Sequence, residues 1–106
     1  MKFAKLISIA LLLSPPFINA AEPTAENALR EMKRVADWQI ANPSKHRITD
    51  WTQGPYFLGL YNLHQVSQDK KYHDALLGFG KRANFGPGPN VYHADDHAVL
   101  QAWLEA

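Results

Sequence analysis

Thr52-Gln53-Gly54-Pro55-Tyr56-Phe57-Leu58-Gly59-Leu60-Tyr61-Asn62-Leu63-His64-Gln65-Val66-Ser67-Gln68 contains no Asp, Glu, Lys or Arg. Pro55 falls in the first turn of the helix this run predicts, where a missing amide donor costs nothing. Tyr56, Phe57, Leu58, Leu60, Tyr61, Leu63 and Val66 spread apolar surface around most of its circumference. A helix without a charged face must be covered on most sides, so this one is expected in an interior.

The segments on either side have a different character. Upstream, Thr24 is placed to cap a helix in which Ala28, Leu29, Met32, Val35, Ala36 and Ile40 recur on one side. Glu26, Arg30, Glu31, Lys33, Arg34 and Asp37 fill the other side. Asn42-Pro43-Ser44 ends it, because proline disfavours helical geometry at the residue before it. A polar loop through Lys45, His46 and Arg47 then leads to Asp50-Trp51.

Downstream, Asp69 can cap a second amphipathic helix carrying Tyr72, Ala75, Leu76, Phe79 and Ala83. Gly86-Pro87-Gly88-Pro89-Asn90 suits neither helix nor regular strand and predicts a rigid loop. A fourth helix is expected to begin near Asp95. Its residues Ala98, Val99, Leu100, Ala102, Trp103 and Leu104 are again nearly uncharged, and the chain stops at Glu105-Ala106 without a glycine or asparagine cap or a final basic turn. Trp38 and Trp103 are assigned to the core, and His64 and His73 to core-edge or surface positions.

Amphipathic, buried, amphipathic, buried is the order expected of outer helices that each feed an inner one. The predicted fold is all-α, a partial (α/α) toroid of helical hairpins truncated after about four helices. The two inner helices would run the same way. Trp51 and the Asp95-Asp96 pair would then share one rim, lined by the loops 42–50 and 86–93.

Composition narrows the functional classes. With 106 residues and no cysteine, the chain is one small domain or part of a larger one. At 46% hydrophobic and 20% charged it is a folding sequence. Lys2 and Lys5, the apolar run Leu6 to Leu13, Pro15-Pro16 and Ile18-Asn19-Ala20 have the pattern of a secretory signal peptide over residues 1–20. That run is far shorter than the ~20 residues a membrane span needs. Loss of Lys2 and Lys5 from 11 basic side chains, against 10 acidic ones, leaves the remainder slightly acidic. The scattered cations form no nucleic-acid-binding stripe. A secreted or periplasmic location is expected, without disulfides or a lipidated cysteine.

The densest chemistry is Tyr92-His93-Ala94-Asp95-Asp96-His97. Three accounts of it are open. Asp95 can simply cap the fourth helix while Asp96 occupies the favourable field at its start and the histidines bond locally. His93 and His97, four residues apart, could hold a metal with a nearby carboxylate, although His93 is expected outside the helix, which breaks that register. The carboxylates could also perform acid-base chemistry on a sugar stacked on Trp51. On the adjoining loop, His46 and Arg47 could meet an acidic sugar or be solvated charges.

Asp50-Trp51-Thr52-Gln53-Gly54, Gly59-Leu60-Tyr61, Gln68-Asp69-Lys70-Lys71-Tyr72 and His93-Ala94-Asp95-Asp96-His97 together resemble glycoside hydrolase families 105 and 88, the unsaturated rhamnogalacturonyl and unsaturated glucuronyl hydrolases. The likeness runs from about Val35 to Leu104. It implies that residues 21–106 are the N-terminal part of a barrel of six helical hairpins. It also implies removal of unsaturated galacturonyl or glucuronyl residues from lyase-generated oligosaccharides, by hydration of a vinyl ether, with no metal and no cofactor. Catalytic aspartate roles would map to Asp96, with Asp95 as the alternative, and substrate contacts to Trp51 and His93. The principal acid-base aspartate of the family lies well downstream of this motif and has no counterpart here, so the chain alone is expected to be inactive. Two other readings remain open: a secreted helical module that binds sugar or protein without catalysis, and a different toroidal glycosidase.

Overall fold

A computed structural model describes residues 23–106, and the signal peptide expected at 1–20 lies outside those described residues. The elements are all helical: α1 (Ala25–Ala41), α2 (Gln53–Ser67), α3 (Lys70–Arg82), a 3-10 helix (Ala94–His97) and α4 (Leu100–Glu105). Among the described residues no helix is long and apolar enough to cross a membrane.

Local chemistry sets the boundaries. The Thr24 hydroxyl accepts the Asn27 amide at 3.1 Å and opens α1. At the other end, Asn42 donates both its backbone N–H and its side-chain amide to the Trp38 carbonyl, at 2.9 and 2.8 Å. Pro43 then prevents continuation. Gln68 closes α2 in the left-handed region, φ 56°. The Asp69 carboxylate immediately accepts the Lys71 amide at 3.3 Å and starts α3.

That two-residue reversal makes α2 and α3 an antiparallel hairpin. His64 stacks near His73 at 5.1 Å beside the turn, and Phe57 meets Phe79 at 4.9 Å far from it. Between them lies the core: Phe57, Leu60 and Leu63 from α2, Tyr72 and Leu76 from α3, Ala36 from α1, and Val99, Ala102 and Trp103 around α4. Burying each large apolar side chain contributes about 1.5–3 kcal/mol, which holds the helices side by side.

α2 and α4 run in the same direction, as the outer and inner alternation requires. Near their starts, a Cβ built on Gly54 would lie 2.9 Å from the Ala98 carbonyl oxygen, so the two backbones almost touch. Further along both, the rings of Phe57 and Trp103 pack with centroids 4.9 Å apart. The architecture is that of helical hairpins arranged as in part of an α/α toroid.

Three expectations need correction. The fourth helix does not begin near Asp95; a 3-10 helix occupies Ala94–His97 and α4 starts at Leu100. The Asp96 and Ala98 amides bond three residues back, to His93 at 3.1 Å and Asp95 at 3.2 Å, while the Asp96 side chain is taken up by a neighbouring loop. Neither aspartate caps α4, which follows Val99 with no side-chain cap.

α2 is also not covered on most sides. An open groove of about 430 Å³ runs along its α1 flank, lined by Met32, Val35, Ala36, Leu60 and Leu63 among others. Finally, Trp38 is not core but 64% exposed. It lies about 200° around α1 from Ala36, the residue that the helix buries.

Candidate functional site

The start of α2 and the 3-10 helix meet at one mouth, and the connection between them is Asp96. Its side chain is only 10% exposed. Oδ1 accepts Arg47 Nη2 at 3.2 Å, across 49 residues of sequence, and Oδ2 accepts the Asn90 amide at 2.9 Å. The Asp96 carbonyl accepts the Gly88 amide at 2.6 Å. One residue thereby joins the loop before α2 to the proline-glycine loop before the 3-10 helix.

Gly88 is required by space, not by backbone conformation. A Cβ there would overlap the Asp96 carboxylate. The loop comes this close to the carboxylate because position 88 has no side chain. Since Arg47 stays 56% exposed, the pair is worth more for geometry than for stability.

Trp51 is held from the other side of the mouth by successive tight turns. Asp50 donates its amide to Arg47 and accepts the Gln53 amide on its carbonyl, at 3.0 and 2.9 Å, and Gly54 donates to Trp51 at 3.1 Å. The Asp50 carboxylate accepts the Thr52 hydroxyl at 2.7 Å and its N–H at 3.0 Å. These two donors, the hydroxyl foremost, hold the Asp50 carboxyl below its ordinary range. The backbone around Trp51 is hydrogen-bonded through these turns while the indole itself is 55% exposed.

The remaining residues of the cluster divide by role. Asp95 is exposed, with His93 Nδ1 3.8 Å from its Oδ2. His97 turns away and bonds the Val91 carbonyl at 2.7 Å through Nε2. Among the described residues no three of His, Cys, Asp and Glu are grouped to hold a metal ion. The structure thus brings Arg47, Asp96 and the Asn90 amide together, while Asp95, His93 and Trp51 are exposed.

Arg47 is the residue whose structural role the sequence left undecided between a solvated charge and a ligand contact. Its partner is 49 positions away, so no local spacing could reveal the pair.

Acid should lower the stability of the chain. Asp37 on α1 is likewise lowered, chiefly by its hydrogen bond from Lys71 and against a desolvation cost. A carboxyl lowered in the folded state stabilises above its unfolded pKa, and that contribution is lost as pH falls through the lowered value. Stability by urea titration is therefore expected to be level from pH 7 to about pH 5 and to decline below about pH 4. Asp50→Asn should flatten part of that decline; an unchanged profile would contradict the role given to the Thr52 donors.

No family profile matches the chain, and no solved structure does. Among curated proteins it is similar to an unsaturated 3S-rhamnoglycuronyl hydrolase of Formosa agariphila, 32% identical over 75 residues that make up 70% of this chain and 20% of that protein. It is also similar to a protein of the same name from an Alteromonas species, 29% identical over 90 residues, 73% of this chain and 22% of that protein. The chain spans about one fifth of the length of these curated relatives.

Proposed function

From the kinship of this chain with the unsaturated rhamnoglycuronyl hydrolases, we infer that it supplies one wall of a site that hydrates the double bond of an unsaturated uronic acid at the end of an oligosaccharide. The observation that supports this most is the Arg47–Asp96 contact, which draws the loops carrying Trp51 and the acidic pair to one mouth. A secreted or periplasmic setting, reached through the leader at residues 1–20, belongs to the same proposal.

The chemistry divides among the residues as follows. Trp51 offers a flat face for the sugar ring, and His93 a hydrogen bond to the uronate or its neighbour. Hydration of a vinyl ether needs a proton delivered to one alkene carbon and water to the other; the hemiketal so formed opens and releases the next sugar. Asp96, with both oxygens already accepting hydrogen bonds, is built to accept and to position. Asp95 is the acid with room to meet a ligand. Neither carboxylate is assigned the part of principal proton donor, and the chain alone is proposed to be inactive.

The test is an extended polypeptide that includes the remaining length the relatives possess, assayed by loss of the ultraviolet absorbance of the alkene in an unsaturated disaccharide. Absorbance should fall, and Asp96→Asn should slow it by about 10²-fold, the range for removing one positioned group from a proton-transfer site. An extended protein that leaves the alkene intact would contradict the reading.

A further inference from the structure

Beside the mouth, on the α1 side of α2, lies a second cleft of about 340 Å³ between the end of α1 and the start of α2. Its size is that of a small-molecule site. Two aromatic residues, Trp38 and Tyr56, line it together with the amide-bearing residues Gln39, Asn42 and Gln53 and with His46. We propose that this cleft binds a neutral pyranose residue, stacked on Trp38.

The composition of the lining selects that ligand. No Asp, Glu, Lys or Arg lines the cleft, so no permanently charged side chain there selects an anion or a cation. A wholly apolar ligand would leave several amides desolvated and unpaired. A pyranose carries one C–H face suited to an exposed indole and a ring of hydroxyls that both donate and accept.

Two of these amides are held from one side. Asn42 spends its Nδ2 on the Trp38 carbonyl at 2.8 Å, and Gln53 its Nε2 on the His46 carbonyl at 3.5 Å, which leaves an amide oxygen on each as an acceptor. The loop is braced by the His46 amide on Ser44 Oγ at 3.2 Å. Trp38, at 64% exposure, contributes little to the core and presents its ring to solvent from the last turns of α1. This site needs no carboxylate chemistry and stands whether or not the hydrolase reading does.

The experiment is a titration of the chain with methyl rhamnoside, methyl glucoside and methyl glucuronide, read on the indole N–H signals of its three tryptophans and on the side-chain amides of Gln39 and Gln53. The neutral glycosides should shift the Trp38, Gln39 and Gln53 signals saturably, and more strongly than the glucuronide. Trp38→Ala should weaken binding by about tenfold or more, read on the Gln39 and Gln53 amides, Trp38→Phe should retain most of it, and Val66→Ala, exposed at the far end of α2, should leave it unchanged. Circular dichroism of each variant confirms the fold. Absence of any saturable shift, preference for the glucuronide, survival of binding in Trp38→Ala or its loss in Val66→Ala would each overturn the proposal.

Discussion

Phe57→Ala is expected to destabilise the chain by about 3–5 kcal/mol, the range for deleting a fully buried aromatic ring from a core. Phe57 is completely buried, and three aromatic neighbours surround it: Tyr56 at 5.5 Å, Phe79 at 4.9 Å and Trp103 at 4.9 Å between ring centroids. Those neighbours belong to α2, α3 and α4, so one deletion opens the junction of all three helices. A single small core rarely supplies more than about 3–5 kcal/mol in total, so the variant should be largely unfolded at 25 °C by circular dichroism and urea titration. A loss below about 1 kcal/mol would show that the three helices do not share this core.

The second large effect is expected from Gly54→Val. Overpacking a close contact costs about 1–3 kcal/mol when side chains can yield, and here they cannot. The nearest obstacles to a Cβ at position 54 are the Ala98 carbonyl oxygen at 2.9 Å and its carbon at 3.2 Å, both backbone. Relief requires α2 and the segment entering α4 to separate, and separation pulls Asp96, two residues before Ala98, away from Arg47. The variant should therefore lose stability and also raise the exchange rate of the Asn90 and Gly88 amides, both held by Asp96. Gly88→Ala should speed the same two amides by displacing the carboxylate directly, with less damage to the helices. Unchanged protection in both variants would mean that Asp96 does not pin the loop.

The sequence made the helices legible because each boundary is a local event. Thr24, Pro43 and Asp69 act within three or four residues of themselves, and the uncharged run through α2 needs no partner to be recognised. The parallel setting of α2 and α4 also followed from the alternation of outer and inner helices. What escaped was set by tertiary contacts. The start of α4 slipped from Asp95 to Leu100 because the Asp96 carboxylate is taken by Arg47 and Asn90 and caps no helix. The apolar character of Trp38 suggests a core position, whereas its angle from Ala36 around α1 puts it outside. Of the candidate site, the acidic pair and Trp51 could be picked out as residue types in motifs; the pairing with Arg47 and the need for glycine at 88 could not, since each depends on a contact between distant loops.

The central claim is that α2 and α4 point the same way and open on one mouth, and nuclear Overhauser contacts from Gly54 test it most directly. The Gly54 α-protons should show strong cross-peaks to the Ala98 methyl group, with the Phe57 ring in contact with the Trp103 indole. Cross-peaks from Gly54 to Leu104 in place of Ala98 would set the helices antiparallel, move Trp51 and the acidic pair to opposite ends, and contradict the shared site.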